Sequence, residues 1–216
     1  MTRRIDPGLI PLRPNLDFER TFWHQGITLV AGIDETGRGA LAGPVAAASV
    51  ILPPREEILT TLSGVLDSKQ LTPSVREGLR RLIESNSRTW GVGFASQTEI
   101  DQTGIVNATR LAIQRALDKM DLDPQHLLID YLVLPDNPIP QTRLTKGDAR
   151  SLSIAAASIL AKTHRDALMI SLADEYPVYN FNANKGYGTA QHLEMIKTEG
   201  PCHLHRMTFA PLREIG

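Results

Sequence analysis

The chain has 216 residues, of which 42% are hydrophobic and 22% charged, with a formal net charge of -1. That is ordinary globular composition and the length of one domain, about 100–200 residues being usual, or of one domain with a small appendage. The charge balance excludes a generally basic nucleic-acid coat protein but leaves nucleic acid open as a substrate, because local charge decides that.

Cys202 is the only cysteine, so an internal disulfide is excluded and a reducing, cytoplasmic setting is expected. The longest apolar stretches, residues 41–52 and 154–161, fall far short of the ~20 residues that a span requires. No apolar run follows Met1-Thr2-Arg3-Arg4, so neither a membrane segment nor a signal peptide is expected.

Residues 1–14 carry Pro7, Pro11 and Pro14 and read as a loose arm. A short helix is predicted over 15–24, with Gly26 as its stop. Residues 27–33 read as a buried strand, followed by a glycine-rich turn. A second apolar strand over 45–52 is closed by Pro53-Pro54. The 73–84 segment reads as a helix opened by proline, with Val75, Leu79, Leu82 and Ile83 on one face. A strand follows over 89–96, then a helix over 106–120 with Ile113, Ala116, Leu117 and Met120 at helical spacing, then a short buried strand over 126–130. A long helix over 151–173 has an alanine-rich front half, and a final helix runs over 189–198. Strands alternate with helices, which predicts an α/β fold with helices on a central sheet. The division expected is an arm and short helix over 1–26 and one domain over 27–216.

The sharpest local feature is Gly32-Ile33-Asp34-Glu35-Thr36-Gly37-Arg38-Gly39, two adjacent carboxylates at the end of an apolar strand. Like charges at a buried strand end require something cationic to offset them. The glycines that follow resemble a dinucleotide fingerprint, but Pro44 and a new strand stand where that motif needs a helix, and the two acids would repel a pyrophosphate. Asp130 ends another strand, at the edge where ligands gather in open α/β sheets. Asp148 precedes the long helix, where by itself it reads first as an N-cap. Taken together, Asp34, Glu35, Asp130 and Asp148 form an oxygen-only donor set with no histidine or cysteine among them. Such a set suits Mg²⁺ or Mn²⁺, and carboxylates around paired ions are the arrangement of phosphoryl-transfer nucleases.

These residues and their neighbours resemble the ribonuclease HII family, the type 2 ribonucleases H. The likeness rests on the Gly32–Gly39 stretch with Leu41-Ala42-Gly43-Pro44-Val45, and on Asp67-Ser68-Lys69-Gln70-Leu71. It rests further on Lys146-Gly147-Asp148 with the 151–162 run, on Lys185-Gly186-Tyr187-Gly188-Thr189, and on Gly200-Pro201-Cys202 through His205-Arg206 to Phe209-Ala210-Pro211. The resemblance implies a ribonuclease H-like fold: a five-stranded mixed sheet flanked by helices, with a helical C-terminal part over the cleft. It implies a metal-dependent endoribonuclease that cuts RNA–DNA hybrids and incises 5′ to ribonucleotides embedded in duplex DNA, as in ribonucleotide excision, using two divalent ions. It implies Asp34, Glu35, Asp130 and Asp148 as catalytic metal ligands, the Gly37-Arg38-Gly39 turn as reader of the 2′-hydroxyl, and Tyr187 as a stacking group for the next deoxyribose. Close approach of glycine backbone to a sugar and the 2′-hydroxyl as the mark of RNA fit that role.

Lys69 and Lys146 are expected at phosphates, with Lys162, Arg165 and Arg206 as further candidates and Ser153 as a hydroxyl contact near a helix start. His203, His205 and Cys202 read as structural, Cys202 as buried and inert. Tyr131 departs from the small residue that commonly follows the third acid in the family, which bears on substrate fit at the rim. The sibling ribonuclease HIII family carries an extra N-terminal platform domain, and the 33 residues before Asp34 favour HII. A different ribonuclease H-like nuclease and a hybrid-binding protein without turnover are the rival readings. The expected partner is nucleic acid, with no membrane, and the chain is expected to act as a monomer.

Overall fold

In a computed structural model, residues 6, 8, 10–66, 68 and 71–214 are described. The elements run α1 (Asp17–Trp23), β1 (Val30–Thr36), β2 (Val45–Ile51), α2 (Glu57–Thr61), α3 (Pro73–Asn86), β3 (Thr89–Ala95), α4 (Gln97–Thr103), α5 (Ile105–Leu117), β4 (His126–Asp130), β5 (Gln141–Leu144), α6 (Leu152–Ser171), α7 (Phe181–Asn184) and α8 (Ala190–Glu199). The five strands form one mixed sheet in the order β3-β2-β1-β4-β5. β1 pairs antiparallel with β2 and parallel with β4, so the strand bearing two acids lies at the centre.

Each face of the sheet is covered by helices, as the alternation of elements requires. On one face α5 buries Ile113 and Ala112 against Ile33, Ala47 and Ile129. On the other, α6 packs Ala156, Ile159 and Leu160 against Ala48 and Val50, with α2 and α3 beyond. Each such large aliphatic side chain contributes about 1.5–3 kcal/mol by leaving water. Gly32 lets α6 approach β1: a Cβ there would lie 2.2 Å from the Ser153 carbonyl carbon. The helical C-terminal part forms a separate cluster, in which Phe181, Tyr179 and Ile196 pack with Leu41 and Met169.

Several local expectations are corrected. β1 begins at Val30, not residue 27, and runs through the acids, because β2 continues the ladder to Thr36 opposite Ala46. On α3 only Leu79 and Ile83 are buried; Val75 and Leu82 are 47% and 43% exposed, since the helix meets the core along one narrow stripe. The short helices α2 and α4 and the polar strand β5 were not visible as apolar periodicities. α1 joins the main core, with Leu16 fully buried and Phe18, Phe22 and Trp23 packed against Leu128 and Ile154.

Candidate active site

The cap of α6 is Ser151, whose hydroxyl accepts the Ile154 amide at 3.3 Å, and not Asp148. Glu19 of α1 completes that helix start. Its Oε1 accepts the hydroxyls of Ser151 and Ser153, each at 2.6 Å, and the Ser153 amide at 3.0 Å. Ser153 is therefore fully buried and occupied, which removes it as a phosphate contact. With the cap assigned elsewhere, Asp148 sits in a short 3-10 turn, Gly147–Ala149, that turns its carboxylate toward the end of the sheet.

There the four acids meet. Ile33 of β1 stands opposite Ile129 of β4, so Asp34 and Asp130 are the next residues on adjacent parallel strands. The Gly147 amide donates to Asp130 Oδ1 at 3.1 Å, tying the Asp148 turn to β4. Asp34, Glu35, Asp130 and Asp148 line one cavity of ≈ 390 Å³, together with Thr36, Ser68, Ser158, Lys162 and Tyr187. Ser158 and Ser68 line the cavity and were not singled out from the sequence. Ser158 reaches Asp34 by a hydrogen bond and Ser68 by one of 3.0 Å, and only their places inside the matched motifs could have flagged them.

Burial raises the Asp34 carboxyl well above its ordinary range, and the neighbouring charges of Glu35, Asp130 and Asp148 raise it further. Burial also raises Glu35, while the Arg38 guanidinium at 2.9 Å draws it back. The second Glu35 oxygen, Oε2, is buried without a hydrogen-bond partner among the described residues.

The glycine turn is held from beneath by two fully buried arginines. Arg206 donates to the carbonyls of Gly37 (2.8 Å), Arg38 (2.9 Å) and Gly43 (3.0 Å). Arg165 donates to those of Pro44 (2.8 Å), Lys185 (2.9 Å) and Ala42 (3.2 Å). Both were candidates for phosphates; their donors are spent on backbone carbonyls in the interior, so they are braces. Gly37 has φ +84°, and a Cβ there would lie 2.1 Å from Arg165 Nε, so the turn and its brace require glycine together. Gly39 is exposed, with open space where a Cβ would stand.

Tyr187 is half-buried at the cavity wall, its ring 5.4 Å from Lys162 Nζ and from the Arg165 guanidinium. Lys162 also pairs with Asp166 at 2.8 Å. Lys146 is exposed beside the Asp148 turn, in a left-handed conformation with φ 54°, and does not line the cavity. Lys69 lies outside the described residues. His205 is buried, as expected of a structural histidine, whereas Cys202 is half-buried and not enclosed. Tyr131 is 50% exposed and has φ 61°, a left-handed conformation that favours glycine.

A family model described as Ribonuclease HII matches residues 31–212. The chain belongs to the ribonuclease HII family. The ribonuclease HII of Dehalococcoides mccartyi is 49% identical over 197 residues, which is 91% of this chain and 93% of that one. Among solved structures, the ribonuclease H2 of Pyrococcus horikoshii superposes with a TM-score of 0.72 at 28% identity, covering 86% of this chain and 96% of the other. The RNase HII of Archaeoglobus fulgidus, solved as a complex with PCNA, gives 0.70 at 26% identity, over 84% and 95%. Ribonucleases HII are metal-dependent hydrolytic endoribonucleases, and so is this chain; the ribonuclease H-like fold expected from the sequence is the fold observed.

The residues present fit a divalent ion. The donors are all oxygens, Glu35 keeps one buried oxygen unused, and Asp34 is crowded by charges of its own sign. Among the described residues no three such side chains close into a ready-made cage; the acids ring an open cavity instead. An ion that retains several of its waters, as Mg²⁺ does, suits that arrangement.

Proposed function

We propose that this chain hydrolyses the RNA strand of RNA–DNA hybrids and incises 5′ to single ribonucleotides embedded in duplex DNA, leaving a 3′-hydroxyl and a 5′-phosphate. The observation that carries the reading is the convergence of four carboxylates from β1, β4 and the Asp148 turn on one cavity that Tyr187 also lines.

Asp34, Glu35, Asp130 and Asp148 would hold the metal, two ions of Mg²⁺ or Mn²⁺. When bound, such ions supply positive charge at the scissile phosphate and a more acidic attacking water. The chain's own groups do the rest. Arg38 fixes one Glu35 oxygen at 2.9 Å and leaves the other directed inward. Ser158 steadies Asp34. The Gly37-Arg38-Gly39 turn, its carbonyls drawn inward by Arg206, reads the 2′-hydroxyl, and the side-chain-free surface at Gly39 admits a sugar. Tyr187 packs on the deoxyribose that follows the ribonucleotide, so the two elements read an RNA-to-DNA step. Lys146 meets a backbone phosphate at the rim. The enzyme acts as a monomer in the cytoplasm; no helix among the described residues is long and apolar enough to cross a membrane.

The test is a duplex containing one ribonucleotide, beside a continuous hybrid and an all-DNA duplex, incubated with Mg²⁺ and then Mn²⁺. Cleavage 5′ to the ribonucleotide, absent from all-DNA and lost in Asp34→Asn, is expected. Equal cleavage of all-DNA, a requirement for a free end, or wild-type activity in Asp34→Asn overturns the reading.

A further inference from the structure

Behind Tyr187, two imidazoles touch in the interior. His192 is fully buried and His205 is 2% exposed, and their Nε2 atoms lie 3.0 Å apart. Neither lines the acidic cavity. His192 Nδ1 is 2.9 Å from the carbonyl oxygen of Tyr187. A carbonyl can only accept, so His192 carries its proton on Nδ1 and presents a lone pair at Nε2. His205 must then donate from Nε2, and its Nδ1 accepts the Cys202 amide at 2.9 Å. The Cys202 carbonyl, at 3.2 Å from the same nitrogen, could be served only if the pair gained a second shared proton.

The surroundings oppose that cation. The Tyr179 ring lies 4.8 Å from His205 and the Phe181 ring 5.4 Å from His192. The Tyr179 hydroxyl is engaged with the Gly200 carbonyl at 2.8 Å. Burial raises the Cys202 thiol, Glu175 acts on that thiol and Glu199 on Tyr179, and the buried guanidinium of Arg206, next along the chain, adds positive charge beside His205. Burial and the neighbouring imidazole push His205 down to about 4, and burial pushes His192 down as well.

Both ends of this array reach elements assigned to substrate. At one end is the Tyr187 backbone itself. At the other, His205 forms an antiparallel bridge with Ala42, flanked by the Arg206 amide on the Leu41 carbonyl and the Gly43 amide on the Leu204 carbonyl, each at 2.8 Å. Arg206 then holds the carbonyls of Gly37 and Arg38. Hydrogen bonds from Tyr187 through His192 to His205, continued along the chain to the Arg206 guanidinium, therefore join Tyr187 to the glycine turn.

We propose that the neutral His192–His205 pair, with these complementary tautomers, is a positioning device that sets the separation of Tyr187 from the Gly37–Gly39 turn and so sets the preference for an RNA-to-DNA step over continuous RNA. The proposal rests on the reading of Tyr187 and the turn as the pair that recognises that step. A ring that merely filled the space would remove one of the two donors to the Tyr187 carbonyl, leaving it only the Thr189 amide at 2.8 Å. Histidine at 192 supplies the side-chain donor, and among the described residues His205 holds its other nitrogen.

The experiment uses the full chain. Imidazole ¹⁵N spectra of the wild type at neutral pH should show Nδ1–H at His192 and Nε2–H at His205; the opposite tautomers, or an imidazolium, overturn the proposal. His192→Phe should raise KM for the single-ribonucleotide duplex about fivefold to tenfold, the value of one lost hydrogen bond, with kcat and the continuous hybrid little changed. His192→Asn, which restores a donor near the Nδ1 position, should recover most of the loss. In a Tyr187→Ala background the effect of His192→Phe should vanish. Equal losses on both substrates, or the same effect in that background, overturn the proposal. Where His192→Phe does not fold, His192→Gln replaces it, keeping an amide toward His205 and lacking the donor toward Tyr187. If Tyr187→Ala leaves the ratio of the two substrates unchanged, the reading of Tyr187 fails. The pair is then judged on the Tyr187 ring resonances, which must shift in His192→Phe and return in His192→Asn; resonances that stay put overturn it.

Discussion

Asp34 and Asp130 lie side by side on adjacent parallel strands, each one residue beyond the paired Ile33 and Ile129. Strands lie about 4.8 Å apart, so two carboxylates are fixed side by side by the backbone and not by side-chain choice. An acid whose pKa is raised on folding weakens the fold wherever the unfolded chain would ionise it, above its ordinary range, and the penalty fades as pH falls. Asp34 is such an acid. Asp34→Asn should therefore abolish cleavage while raising the Tm of the metal-free protein, by about 2–4 °C for each kcal/mol of repulsion relieved. Calorimetry in EDTA checks this; a lower Tm in the variant contradicts it.

Divalent metal should act in the opposite sense on the wild type. Saturating Mg²⁺ stabilises whichever state binds it, by about 2.7 kcal/mol at a hundred times Kd. Thermal melts should rise with Mg²⁺, fall back on chelation, and move much less in Asp148→Asn.

The two glycines of the turn should separate folding from recognition. Gly37→Ala places a Cβ 2.1 Å from Arg165 Nε at φ +84° and should cost more than about 2 kcal/mol in urea unfolding. Gly39→Ala meets nothing within 4 Å. It should fold normally and lose affinity for ribonucleotide-containing duplex, seen as a raised KM with an unchanged urea midpoint.

Stability should decline in mild acid. His205 titrates at about 4 in the folded chain against an ordinary 6.5, so between those values the unfolded chain binds the extra proton. Stability from this residue is full above 6.5 and is lost as pH falls toward 4. His126 and His192, both lowered by burial, add in the same direction. The pH dependence of urea midpoints should be shallower in His205→Gln than in the wild type.

Glu19 anchors the start of the helix that carries Ser158. Glu19→Ala removes three hydrogen bonds from a buried cluster and should cost about 2–4 kcal/mol, while Glu19→Gln, which keeps an acceptor, should cost less. Chemical denaturation of the two variants decides it.

Much of this was legible in the sequence because it followed from period and punctuation. The β4 boundaries at His126 and Asp130 and the proline-opened start of α3 were read directly, since an apolar run bounded by breakers leaves few choices. The four acids were legible because carboxylates at strand ends are expensive and few. What stayed hidden depends on contacts between distant segments. Ser153 reads as a helix-start hydroxyl until Glu19, 134 residues earlier, is found to occupy it. Arg165 and Arg206 read as surface cations until the loop carbonyls close around them. The His192–His205 contact joins a helix to a loop and has no local signature at all.

The two buried arginines have an electrical consequence. Neither forms an ion pair among the described residues; their partners are neutral carbonyls, which orient dipoles toward the guanidinium but cancel no charge. Burial pushes Arg206 down to about 9, still far enough above neutrality for it to stay protonated. Two fixed positive charges thus lie beneath the very turn assigned to the sugar, insulated from water and from mobile counterions. A polyanion arriving there meets an attractive potential that salt screens weakly and that offers no exposed donor to grip a phosphate in the wrong register. The formal charge of -1 averages over the whole surface and conceals this local polarity.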